Sequence, residues 1–118
     1  MNHTTDNLVR AGFDAWNELD ADRRDAALEA LFAPDARIID PNWTATGREE
    51  ILAAVGQVRN KLGDMFLALT KVVGANLGTA LLTWEPTPLA AGAAPVATSY
   101  GTVVAEGGQV VQAGNSCG

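Results

Sequence analysis

The chain has 118 residues, 47% of them hydrophobic, with a formal net charge of −6 and a pI near 4.5. That length suits one domain over residues 1–118. The acidic balance, without a basic cluster, argues against nucleic acid as a partner and fits a role in solubility.

No apolar run approaches the ~20 residues a membrane-spanning helix needs, so no membrane contact is expected. The polar start, Met1 to Asp6, has no secretory apolar region, and a cytoplasmic location is expected. Cys117 is the only cysteine and His3 the only histidine. No internal disulfide can form, and a zinc site built on cysteines is excluded. One histidine near the N-terminus argues against a transition-metal centre. A nucleophilic Cys117 lacks a neighbouring base, and no cofactor is expected.

The first predicted element is a helix from about Asp6 to Leu19. Leu8, Gly12, Ala15, Trp16 and Leu19 recur at helical spacing. Asp20-Ala21-Asp22 breaks it, and Asp22 can cap the next helix with Asp25 in its first turn. That second helix carries Leu28, Leu31 and Phe32 and stops before Pro34. A short strand, Ala36 to Asp40, comes next. Alternation puts Asp40 on the face of Ala36 and Ile38, with Arg37 and Ile39 on the other. A carboxylate on an apolar face is costly unless paired or useful, because burial raises its pKa and makes it a potential base.

A loop leads to a third helix, with Thr46 and Glu49 at capping-box spacing. It runs to about Lys61, with Ile51, Leu52, Val55 and Val58 on its inner stripe, and Gly63 ends it. Beyond it the pattern turns to strands. Met65 to Val73 alternates, Asn76-Leu77-Gly78 makes a hairpin turn, and Thr79 to Glu85 returns. Residues 86–95 form a loop rich in Pro, Ala and Gly. Val96 to Ala105 is a further strand, and Glu106-Gly107-Gly108 turns into Gln109 to Ala113. Helices first and an antiparallel sheet second is the α+β pattern.

This layout, with Leu-Phe-Ala-Pro-Asp-Ala at 31–36, Ile-Asp-Pro at 39–41 and Thr-Gly-Arg-Glu-Glu-Ile at 46–51, resembles the nuclear-transport-factor-2-like superfamily. Within it the chain is most similar to the SnoaL-like and ketosteroid-isomerase-like branch. The resemblance implies a cone: a curved antiparallel sheet, three N-terminal helices on its concave face, and one enclosed apolar pocket for a small apolar molecule. It also implies a homodimer packed through the outer sheet faces. The superfamily carries isomerases, cyclases, hydrolases, dehydratases and pure binding modules, so function rests on the pocket. Relatives finish the last strand with an aromatic residue and several more positions, so here the expectation is either a short last strand or a truncated chain, with a pocket open at one end.

In the ketosteroid isomerases the aspartate of a similar Asp-Pro shuttles a proton on the substrate, and the resemblance gives that role to Asp40. A desolvated carboxylate on a pocket wall can take a proton from carbon. The alternative is that Asp40 caps its loop, since aspartate before proline favours turns. The isomerases hold the substrate oxygen with a tyrosine and a protonated aspartate. Here the matching positions carry Trp16 and Tyr100, with Thr102 on the face of Tyr100, and these departures argue against a true ketosteroid isomerase. Trp43, Phe66, Trp84 and Val55 are candidates for the pocket wall, with ordinary core packing the alternative for each. Arg37 faces away from Asp40. Gly47 and Arg48 open a helix without a Gly-rich phosphate loop, which discounts nucleotides.

Two functions are therefore open. One is a cofactor-free isomerase or cyclase acting on a polyketide- or terpenoid-like carbonyl compound, with Asp40 as base and Tyr100 and Trp16 as donors. The other is a non-catalytic binding module. Epoxide hydrolysis is a lesser option, because an Asp-Arg-Asp set does not assemble from these residues. The surroundings of Asp40 discriminate. A carboxylate facing a pocket with a raised pKa favours chemistry, and one saturated by backbone N–H groups favours binding.

Overall fold

In a computed structural model, which describes residues 4–63, 65–76, 78–88 and 98–117, helix α1 (Thr4–Asn17) leads into α2 (Ala21–Leu31). The expected cap shifts by two residues: Asp20, not Asp22, takes the N-cap of α2. Its backbone is extended, and its Oδ1 accepts from the Arg23 N–H at 3.0 Å. Asp22 falls in the first turn instead, where its charge suits the helix N-terminus.

Strand β1 (Phe32–Ile39) starts directly at Phe32, four residues before expectation. Pro34 explains this, since the residue before a proline is pushed to extended geometry. Pro34 also has no N–H for the ladder, and β1 shows a register irregularity between Phe32 and Arg37. The predicted loop after Asp40 contains a short strand, β2 (Thr44–Thr46), paired antiparallel to β1.

Because Thr46 belongs to β2, it cannot cap α3 (Arg48–Leu62). Gly47 does, at φ 86° and with no side-chain bond. The expected Thr46–Glu49 box is replaced by its neighbour: the Thr46 N–H donates to Glu50 Oε1 at 3.0 Å. Gly63, at φ 59°, ends the helix as predicted.

Strands β3 (Phe66–Asn76), β4 (Thr79–Thr87), β5 (Ser99–Glu106) and β6 (Gln109–Cys117) complete one sheet of order β2-β1-β6-β5-β4-β3. Residues 89–97, most of the predicted Pro/Ala/Gly loop and the start of the predicted strand at Val96, lie outside the described residues. The last strand runs beyond its expected end at Ala113 and pairs with β5 as far as Cys117, opposite Ser99, so the alternative of a short last strand is not met. All neighbours are antiparallel except β1 and β6. α3 and four strands, β2 to β5, separate that pair in the chain, enough for a crossover. Bulges between Leu69 and Lys71 and between Val72 and Gly74 increase the twist of the β3–β4 ribbon.

The helices cover one face of this curved, open sheet. Leu28, Leu31, Ile51 and Val55 pack with Ile38, Ala36 and Val110, and Val9 packs with Ala80 and Leu82. Each fully buried Leu or Ile contributes roughly 1.5–3 kcal/mol. Arg59 is buried at 4% exposure. Its guanidinium donates to the carbonyls of Trp16 at 3.1 Å, Gly63 at 3.2 Å and Met65, tying the ends of α1 and α3 together. Burial, and then the charge of Arg24, hold its pKa below the usual arginine value. No helix among the described residues is long and apolar enough to cross a membrane.

Candidate functional site

Between α1, α3 and the concave sheet face lies a cavity of about 160 Å³. Its wall is mostly aliphatic and aromatic. Trp16, Trp43 and Trp84 all line it, and these are the protein's three tryptophans.

Cross-strand register fixes which side chains face inward. Ile38, Ala113, Val103 and Ala80 form one row across the sheet. One step on, Ile39 pairs with Gly114, so Asp40 follows onto the inner face beside Asn115. Asn115 pairs with Gly101, and Gly101 with Leu82. Paired residues share a face. The buried Leu82 therefore sets the direction of Asn115 as well.

Asp40 lines the cavity and is half-buried. Its backbone N–H donates to the Trp43 carbonyl at 2.9 Å, and its Oδ1 accepts from the Asn42 N–H at 3.0 Å. The side chain thus makes an Asx-type turn with one oxygen, while no described residue donates to the other. Both sequence readings of Asp40 have a physical basis in one residue. Arg37 is exposed on the opposite face.

The remaining predicted site residues divide. Trp16, Trp43 and Trp84 reach the cavity. Tyr100 does not: it is 48% exposed and borders a shallow depression on the outer face with Ile39 and Leu81. The reason is strand parity, since its neighbours Ser99 and Gly101 are the buried ones. Thr102 shares the outward face of Tyr100 and is exposed. It is nonetheless among the residues that line the cavity, opposite Gly114, and it borders the outer depression too. Val55 is wholly buried in the helix–sheet core and does not line the cavity, and the half-buried Phe66 does not line it either.

Two polar features were not anticipated. Asn115 lies past the predicted end of the last strand, yet it lines the cavity, one register step beyond the Ile39–Gly114 pair and so on the side of Asp40, and it borders the outer depression too. The signal was available: like Asp40, it is a polar residue on an otherwise apolar face. The second is Trp84, whose Nε1 is buried with no acceptor among the described residues. Such a donor costs roughly 1–3 kcal/mol. Among the described lining residues Asp40 is the only acid and no arginine is present, so the Asp-Arg-Asp arrangement for epoxide opening is not assembled there.

No curated protein sequence matches the chain. Solved structures match its fold. A candidate isomerase of the SnoaL-like family from Agrobacterium tumefaciens superposes with a TM-score of 0.89 at 19% identity, covering 99% of both chains. A candidate polyketide cyclase from Sinorhizobium meliloti gives 0.74 at 23% identity, covering 93% of this chain and 94% of that one. A candidate ketosteroid isomerase from Kribbella flavida gives 0.77 at 22% identity, covering 98% and 78%. At these identities the likeness concerns the nuclear-transport-factor-2-like fold and not the chemistry. The model of the SnoaL-like domain matches residues 9–113, and the chain belongs to the SnoaL-like family.

Proposed function

We propose that this protein is a cofactor-free isomerase or cyclase that moves a proton on an apolar carbonyl compound, with Asp40 as the base. The observation that carries the reading is the position of Asp40. Its carboxylate stands on the wall of an apolar cavity with only one oxygen engaged by a described residue. The engaged oxygen fixes the side chain, and the other is free to act.

In such a reaction Asp40 takes a proton from the carbon next to the carbonyl. The C–H electron pair moves into an enolate, whose oxygen is held by a cavity donor. The same proton returns at another carbon, leaving the carboxylate as it began. Trp16 supplies an indole N–H from α1, and Trp84 offers a buried one without an acceptor among the described residues. Tyr100, on the outer face, has no part.

The binding-module reading rests on the Asp40 Oδ1–Asn42 bond, which gives Asp40 a structural purpose without chemistry. Turnover separates the two. A β,γ-unsaturated cyclic ketone such as 3-cyclohexenone should convert to its conjugated isomer, seen by ultraviolet absorbance, faster with protein than with buffer carboxylate. Saturable binding without conversion supports the module instead.

The outer sheet face leads us to infer a homodimer as well. Leu81 at 44% exposure, Tyr100 at 48% and Ile39 at 37% cluster there around one depression. A second copy of this face is the natural cover for such an apolar patch.

A further inference from the structure

We propose that the cavity takes a ligand of single-ring size, and that Asn115 selects for an oxygen on it. Binding and selection stand apart from the catalytic reading of Asp40; only turnover of the bound ligand rests on that reading.

Size comes first. An apolar cavity of about 150 Å³ holds one benzene ring, and this cavity measures about 160 Å³. A four-ring skeleton is several times larger. The floor does not yield easily. Leu82 and Val9 are buried at 2% exposure, and close-packed interiors resist expansion. Gly101 supplies part of the available room. A Cβ there would meet Leu82 Cδ1 at 3.1 Å, so a larger residue would have to push the Leu82 side chain aside.

Chemistry comes second. Almost everything on the wall is apolar, and Asp40 can only accept a hydrogen bond when ionised. A ligand oxygen placed beside it would be repelled unless a donor stands nearby. The register puts the Asn115 carboxamide there, on the neighbouring strand and on the same face. Its NH2 can donate to a carbonyl oxygen while the ligand carbon faces Asp40. Gly101 opposite Asn115 carries no side chain to block the approach. The expected ligand is therefore a monocyclic ketone or enone.

The three cavity tryptophans make binding directly visible, because no other tryptophan contributes to the fluorescence. The probes are cyclohexanone, its oxygen-free isostere methylenecyclohexane, and a four-ring steroid ketone. Cyclohexanone should change the emission saturably, with Kd millimolar or tighter (about −4 kcal/mol at 1 mM). The steroid should not. Asn115→Ala should weaken cyclohexanone about three- to tenfold, as expected for one hydrogen bond, and leave methylenecyclohexane unchanged. A steroid bound as tightly as cyclohexanone overturns the size assignment. Equal loss for both single-ring probes overturns the role of Asn115. In wild type, methylenecyclohexane bound as tightly as the ketone does the same without any variant. Binding of the ketone without proton transfer leaves this inference standing and removes the catalytic reading, so the two can fail separately.

Discussion

The Asn17 carboxamide completes both backbone bonds of Leu67: its Nδ2 donates to the Leu67 carbonyl at 2.9 Å, and the Leu67 N–H donates to its Oδ1 at 2.7 Å. Strand β3 is at the sheet edge, and one side chain there takes the place of a neighbouring strand. It also anchors the end of α1 beside Trp16, with Leu67 itself on the cavity wall. Asn17→Ala should cost about 1–3 kcal/mol, since two part-buried backbone groups lose their partners. Asn17→Asp keeps the acceptor but loses the donor, and its charged form faces a carbonyl. Its melting temperature should rise as pH falls through the carboxyl titration, because only the protonated form can donate. Thermal melts of both variants from pH 3 to 8 decide this, and an Asp variant as stable as wild type at pH 8 contradicts it.

Gly78 should tolerate no side chain. Its φ is +84°, and an added Cβ would sit 2.6 Å from the Ala105 carbonyl oxygen. That oxygen belongs to backbone, and the Ala105 N–H already donates to the Gly78 carbonyl at 2.7 Å. Strain and overlap together should make Gly78→Ala destabilising by about 2 kcal/mol or more. Gly107, also at positive φ but with nothing within 4 Å of an added Cβ, should cost less when changed to Ala. Denaturant melts of the two variants compare them directly, and equal losses contradict the overlap argument.

If the outer face is the dimer contact, a charge placed there should separate the copies. Leu81→Lys should convert a species of about twice 12.3 kDa into one of 12.3 kDa by light scattering. Ligand-dependent tryptophan fluorescence should survive, because Leu81 borders the outer depression and not the cavity. A wild type already monomeric at micromolar concentration contradicts the homodimer.

What was legible in the sequence was whatever depends on local pattern. Asp40 announced itself by interrupting an apolar face, and the helices by period and punctuation, with Gly63 stopping α3 where expected. What depends on long-range pairing was not legible. The resemblance matches Tyr100 to a pocket position, and the Gly107-Gly108 turn is the nearest local mark from which its register can be counted. Between Val104 and Ala105 the β5–β6 ladder slips, so the turn is a poor ruler for what lies across the sheet. A one-residue error sends every side chain to the other face. Asn115 was missed for a related reason. Residues 114–117 form strand only because β5 and, in part, β1 are there to pair with them. Val55 was rightly put on the inner stripe of α3, but a helix stripe does not tell core from cavity wall.

The central claim is that Asp40 moves a proton on a carbonyl compound in this cavity. The most direct measurement is deuterium exchange at the carbon next to the cyclohexanone carbonyl in D2O, monitored by NMR for wild type and Asp40→Asn. Asparagine keeps the Oδ1 that accepts from Asn42 but cannot take a proton from carbon. The protein-dependent exchange should fall by about 10²–10⁴-fold. Tryptophan fluorescence should report unchanged cyclohexanone binding, and the melting temperature should stay level or rise. Protein-dependent exchange in Asp40→Asn within about threefold of wild type, far below that general-base range, contradicts the account. So does ketone binding in wild type without any protein-dependent exchange.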